Sequence, residues 1–371
     1  MVRMFESCGW EYTVLRPIRQ ARDGAPVLLA ARREYFGGGT TAVELKPLHV
    51  TRETVTSVKA RLAEELRLSQ HLRHRHIGEV LGFAADGEQP YLVHEHVPGC
   101  SLETVIDAAV LARRKLSAGF AVAVSRAVAD ALAHAHRDPL HIVHRAVSPA
   151  NIQISQRGRV KLVNFGAAYS ELMGRHPTPA GLLRGDAAYM APEALSAFRP
   201  SRNRRHARAR TPPDPRADLF SLGLVLLGTL TGWHPLDPPD VLEAELEPLL
   251  LPDTRAEMTP SIPLGIMAAR LLHFGPKDVD RAARRLPARL RLIISKALQV
   301  DPSQRYQSAL AMEEELRGFL SGSCPTYGEV EVAAEMARLL SAAKKLDAQV
   351  AYSVAGDGIL PAPADLPRSF P

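Results

Sequence analysis

Cysteine is scarce: Cys8, Cys100 and Cys324 are the only three in 371 residues, scattered and without a C-x-x-C. That excludes a disulfide scaffold and suits a reducing compartment. Long apolar runs are missing too. The most apolar stretch, Leu219 to Trp233, is too short to span a bilayer and reads as a buried helix. No charged region followed by an apolar one stands at the N-terminus, so no secretory signal is expected. No internal repeat is visible. His94, His96 and Cys100 have no second cluster at ligand spacing, and His71, His74 and His76 read as a helix end and loop, so no metal site is expected. What remains is a chain 46% hydrophobic with net charge +6, long enough for one large or two moderate domains.

The most informative stretch is His141 to Gly166, HIVHRAVSPANIQISQRGRVKLVNFG. A short apolar run leads to His144-Arg145, and Asn151 follows seven residues after the His. A strand pair turning at Arg157-Gly158 then ends in Asn164-Phe165-Gly166. This resembles the catalytic loop and magnesium loop of a protein kinase, H-R-D-L-x-x-x-N followed by D-F-G. The resemblance implies a base at 146, a lysine at 148 and a magnesium carboxylate at 164. The chain has Ala146, Ser148 and Asn164 instead. Ala146 carries no acid-base group, and Asn164 offers a metal only a neutral carbonyl where hard cations favour carboxylate oxygen. Asn151, the second magnesium ligand of the family, is unchanged.

Other family motifs follow in order. Residues 11 to 46 are expected to form the first strands of a small lobe. The family's glycine loop falls on Gln20, Arg22 and Ala25, none of them glycine; Gly24 suits a hairpin turn, and Gly37-Gly38-Gly39 suits the turn between the second and third strands. Thr41 to Lys46 is similar to the strand motif V-A-I-K, which makes Lys46 the phosphate-holding lysine and Glu65 its helix partner, with Glu64 one residue away as the other candidate. The plain alternative for such a pair is a surface bridge worth under about 1 kcal/mol. Glu44 stands where the family has a small residue against adenine, and Gln153 where it has an apolar floor. A carboxylate there is costly to desolvate unless paired; pairing with Lys46, or turning outward, is the plainer expectation. Gln89 to Gly99 reads as the fifth strand and hinge, and Ser117 to His136 as an amphipathic helix.

In the large lobe, Ala191-Pro192-Glu193 matches A-P-E, and Asp186 replaces a threonine of the substrate loop. Asp186 is an alternative base only if it reaches a substrate proton. Ser170 and Thr178 are candidate phosphate acceptors, with Arg145 as the group to receive the phosphate. The resemblance gives Asp218 the role of holding the catalytic-loop backbone and Arg305 a buried pair with Glu193. His144, Arg145 and Phe165 belong to the same structural set. Arg199 to Arg210, with six arginines and no acid, reads as a solvated basic loop or a docking site for an acidic partner. No aromatics interleave with the arginines, which argues against nucleic acid. Asp237 to Leu286 is an expansion expected to add a helix. Beyond Leu320, Glu329 to Val350 places Met336, Leu339, Leu340, Ala343 and Leu346 on one helical face, for packing on the large lobe or for a partner; Pro361 to Pro371 reads as a tail.

The expected architecture is therefore α+β: a bilobal protein-kinase-like fold with an N-lobe over 1–97, a C-lobe over 98–322 carrying the basic insertion 199–216, and a C-terminal helix and Pro-rich tail over 323–371. The expected function is a catalytically degenerate kinase-like module that binds protein partners in the cytoplasm, an acidic protein or a signalling kinase among them, with no nucleic acid, no membrane span and no cofactor. The alternative is a divergent Ser/Thr kinase that binds ATP and magnesium through Lys46, Glu65 and Asn151 and transfers phosphate slowly.

Overall fold

The structure, a computed structural model, describes residues 3–20, 25–34, 39–48, 65–170, 187–196, 212–236, 270–271 and 274–356. The first lobe is a six-stranded antiparallel sheet of β1 (Arg3–Ser7), β2 (Trp10–Gln20), β3 (Pro26–Glu34), β4 (Thr40–Pro47), β5 (Val80–Asp86) and β6 (Gln89–Glu95), in the order β1-β2-β3-β4-β6-β5. Tyr12, Ala30, Val43, Leu45, Ala84, Tyr91 and Val93 form its buried face. Alternation along each strand sends the intervening residues to the other face.

The sheet begins earlier than residue 11. Phe5 of β1 pairs with Tyr12 in register and stacks on it at 5.0 Å, so aromatic packing recruits a strand that alternation alone did not disclose. Lys46 consequently lies on the fourth strand and not the third, and the strand before the hinge is the sixth and not the fifth. β2 carries two register shifts, at Val14/Arg16 and Pro17/Arg19, which accommodate a proline that cannot donate to the ladder.

Residues 65–71 are helical (α1). Past the hinge, β7 (Gly99–Ser101), β8 (Ile152–Ser155) and β9 (Val160–Leu162) make a small second sheet. The helices of the second lobe are α2 (Leu102–Leu111), α3 (Ala118–His136), α4 (Pro192–Ser196), α5 (Arg216–Thr231), α6 (Pro276–Ala283), α7 (Ala288–Ala297), α8 (Ala309–Ser323) and α9 (Glu329–Gly356). Ser117 caps α3 by accepting from Phe120 N, which removes one orphan donor of the first turn. α5 is buried without interruption from Asp218 to Leu230, as a helix apolar all round must be. It stops at Gly232, φ +85°, two residues earlier in effect than the Leu219–Trp233 reading. Arg216, counted within the insertion, is instead the first residue of α5 and pairs with Asp214 at 2.6 Å. α6 falls inside the 237–286 expansion, of which 237–269 and 272–273 lie outside the described residues.

α9 packs on the large lobe. Val332, Met336, Leu339 and Ala343 are buried, and Glu335 accepts from Ser117 N and Ser117 Oγ, both at 2.7 Å, and from Tyr327. Its first residue closes on the β8–β9 turn: at Gly158, φ +80°, a β-carbon would sit 1.7 Å from Glu329 O, so only glycine fits. Leu346 was expected on the apolar seam, yet it is 37% exposed; the seam ends at Ala343.

Candidate functional site

The site lies where β4, the hinge and the 144–166 segment meet. In the β4–β6 register Glu44 faces His94 and Lys46 faces Leu92. Directly opposed residues of an antiparallel pair share a face, so Glu44, Lys46 and His94 lie together on the side away from the small-lobe core. Glu44 is paired, but not with Lys46. Arg19, just past the second register shift of β2, bonds its Oε2, and His96 Nδ1 lies 3.1 Å from its Oε1. The strand-to-hinge latch so formed supplies what a nearly buried carboxylate requires. Neither Arg19 nor His96 was singled out for this role from the sequence; the visible signal was a buried acid on a strand beside a histidine-bearing hinge. His94 is half-buried, and its Nε2, which is itself enclosed, has no hydrogen-bond partner. Burial, with Lys46 and Arg19 adding to it, pushes its pKa down to about 3, so the ring is neutral.

Lys46 Nζ donates to Asn164 Oδ1 at 2.9 Å, Asn164 Nδ2 donates to Asn151 Oδ1 at 3.1 Å, and Asn151 Nδ2 donates to Ala146 O at 2.7 Å. The lysine fixes the direction of this chain, since an ammonium has no acceptor and must face an oxygen. Asn164 stands in the left-handed region at φ +71°, ψ +55°, which Asn tolerates better than most residues. Glu65 reaches the same corner: a β-carbon on Gly166 would meet Glu65 Oε1 at 3.4 Å. Ala146 and Ser148 are buried, and Ser148 Oγ has no hydrogen-bond partner. Gln153 lies on β8, half-buried and opposite Ser101 and Lys161.

The loop is held from its other side by Asp218, 1% exposed. Its Oδ2 accepts from His144 N at 2.7 Å and lies 2.9 Å from His136 Nε2, while Oδ1 accepts from Arg145 N at 2.8 Å. Burial alone raises this carboxyl's pKa, but the hydrogen bond and charge of His136, with the His144 contacts, outweigh it and hold the pKa below the usual value. His136 in the last turn of α3 is a partner that sequence reasoning missed. Burial depresses the His144 pKa. Its ring accepts from Ala146 N on Nδ1 and lies 3.1 Å from Val163 O on Nε2, which makes it the neutral tautomer protonated on Nε2. Phe165 packs edge-on against it at 4.5 Å.

Arg305 is bidentate to Glu193 at 2.7 and 2.8 Å, and donates to Gln299 O, Val300 O and Arg216 O as well. Five donors thus have five acceptors. Arg145 donates to Ala167 O and Ala168 O at 2.6 and 3.1 Å. Ser170, a candidate phosphate acceptor, is 4% exposed and donates to Leu140 O; a kinase cannot reach a hydroxyl so enclosed, and that expectation is corrected. Asp186, Thr178, Glu64, Arg22, Gly24, Gly37, Gly38 and the arginines of 199–210 lie outside the described residues. No group of three or more metal-ligating side chains occurs among the described residues, and none of their helices is long and apolar enough to cross a membrane.

A protein kinase domain model matches residues 41–316. The chain belongs to the protein kinase family. Curated relatives include the serine/threonine-protein kinase PknL of Mycobacterium tuberculosis, 31% identical over 68% of this chain and 52% of that protein. The serine/threonine-protein kinase PknB of Mycolicibacterium smegmatis is 29% identical over 69% of this chain and 35% of that protein. The tyrosine-protein kinase MasK of Myxococcus xanthus is 30% identical over 70% and 35%. The chain thus spans about half or less of the length of these kinases.

Proposed function

We propose that this kinase-family chain is a catalytically degenerate module, a pseudokinase, that binds protein partners in signalling and does not transfer phosphate. The observation that carries the reading is the chain Lys46–Asn164–Asn151–Ala146 O. Its polar groups satisfy one another through neutral amides, and positions 146 and 164 hold no carboxylate to take a proton or face a cation. The residues present fit ATP and magnesium poorly. Asn164 turns its amide nitrogen, not an oxygen, toward Asn151, and the Arg19–Glu44–His96 latch lies where the family's adenine wall is small. Asp186 as a substitute base belongs to the alternative reading. The divisions 1–97, 98–322 and 323–371 and a cytoplasmic setting, in keeping with three free cysteines, belong to this same proposal.

A second reading, a divergent Ser/Thr kinase, is favoured by the placement of Lys46 and Asn151 on one hydrogen-bonded path and by relatives named as kinases. Melting with and without ATP and magnesium, followed by a radiolabelled transfer assay, separates the two. The pseudokinase predicts no melting shift and no transfer. A shift abolished by Lys46→Ala, with transfer above background, would establish the enzyme, because only specific binding to the folded state raises the melting temperature by mass action.

A further inference from the structure

α2 ends at Leu111 and is followed by Arg113, Arg114 and Lys115, all exposed. Across from them α9 presents Arg338, Lys344 and Lys345, also exposed, on the side away from its buried seam of Val332, Met336, Leu339 and Ala343. Where the turn after α2 meets α9 lies a shallow groove of about 460 Å³ lined by Arg114, Ala337, Arg338, Ser341, Ala342 and Lys345. None of the six cations makes an ion pair or side-chain hydrogen bond among the described residues.

The sequence arranges this imbalance. Between Ala333 and Leu346 the one acid is Glu335, and it is turned inward onto Ser117 and Tyr327. That contact seats the α9 wall on the lobe and removes the only carboxylate of this stretch that would neutralise the groove. Arg114, Arg338 and Lys345 line the groove with no acid among its lining residues, which leaves it a site of positive potential. Ala337 and Ala342 leave the floor shallow enough for an extended backbone to approach.

We propose that this groove docks an extended acidic segment of a protein partner, its carboxylate or phosphate side chains received by Arg114, Arg338 and Lys345. The absence of any aromatic lining residue disfavours single-stranded nucleic acid, whose bases need a stacking platform. The proposal rests on the partner-binding half of the function proposed above and not on the catalytic half, so the outcome of the phosphate-transfer assay does not bear on it.

The test uses the whole chain and a fluorescent Asp/Glu-rich peptide, with a Lys-rich peptide of equal length as control, followed by anisotropy at low and high salt. The acidic peptide binds and the basic one does not, with affinity falling as salt rises. Arg338→Glu/Lys345→Glu weakens binding by roughly tenfold or more. Ser341→Trp weakens it at unchanged charge by filling the groove, and both variants melt as the parent does because all three positions are exposed. Replacing the arginines of 199–210 with serine leaves binding in place. No binding by the parent chain overturns the proposal. So does binding that survives both groove variants, binding that is lost with the 199–210 arginines, or preference for phosphatidylserine vesicles or single-stranded RNA over the peptide.

Discussion

The 144–151 loop is gripped from two sides. On one, Asp218 uses both oxygens of a buried carboxylate on His144 N, Arg145 N and His136, and a few turns away Arg305 meets Glu193 with every donor matched. On the other, Lys46, Asn164 and Asn151 pass a hydrogen bond along neutral amides, next to a serine and a histidine with unpartnered buried atoms. The first region holds buried main-chain donors that nothing else can satisfy, so it needs full charge. In the pseudokinase reading, the second needs charge only for a cation and a proton in transit. A chain can therefore lose the second set and still fold.

The largest effect that would break this contrast is at Asp218. Asp218→Ala strands two buried N–H groups and the His136 contact, and is expected to cost about 3 to 5 kcal/mol in urea unfolding, the usual range when one partner of a buried charged network is removed. A cost near that of an exposed alanine substitution would mean the loop does not depend on this carboxylate.

Next in size is His94. Its folded pKa is pushed down to about 3 against about 6.5 in an unfolded chain. Below pH 6.5 the unfolded state takes up a proton that the folded state refuses, so stability falls as pH drops, by about 1.4 kcal/mol per unit. His94→Met removes that slope. Relative to the parent it should gain about 2 kcal/mol between pH 8 and pH 5, read from denaturation midpoints at the two values. Equal pH dependence in both proteins would show that His94 is accessible to protons and the cleft is open.

Glu335→Gln probes a scaffold contact outside the loop. It keeps the shape of the Ser117 and Tyr327 contacts while weakening charge-assisted acceptance, at a cost of about 1 to 2 kcal/mol. A smaller loss would mean that apolar packing by Met336 and Leu339 alone seats α9.

The scaffold contacts were within reach of the sequence because their groups lie at motif positions: Asp218 bonds His144 N and Arg145 N, and Arg305 pairs with Glu193. The partner of Glu44 was not legible. Arg19 reaches it only because β2 shifts register twice, and no periodicity announces a bulge. β1 escaped for a related reason: Phe5 joins the core through one stacked ring and not through a long alternating run. Ser170 read as an exposed loop serine because its burial depends on Leu140 O, thirty residues away. His136 looked like the end of a helix, which it is, and its bond to Asp218 spans 82 positions. Local pattern discloses elements and motif residues; long-range partners of single polar side chains come from packing.

The sharpest version of the comparison returns charge to the cleft. Asn164→Asp replaces the amide nitrogen now donating to Asn151 Oδ1 at 3.1 Å with a second oxygen, so two acceptors face each other. Asn151 cannot relieve this by turning its amide without losing its bond to Ala146 O. The new carboxylate gains a stronger bond from Lys46, and the two effects oppose, leaving stability without divalent ions within about 1 kcal/mol of the parent. Two oxygens at that separation suit a hard cation. Magnesium should therefore raise the melting temperature of Asn164→Asp, by about 1.4 kcal/mol of stability at ten times its dissociation constant, and leave the parent unmoved. The magnesium effect requires the ionised carboxylate, so it should be present at neutral pH and fade as the solution falls through about pH 4. A parent chain that responds to magnesium as strongly as the variant would show that Asn164 and Asn151 already form a cation site, and the neutral chain would then be the resting state of an enzyme.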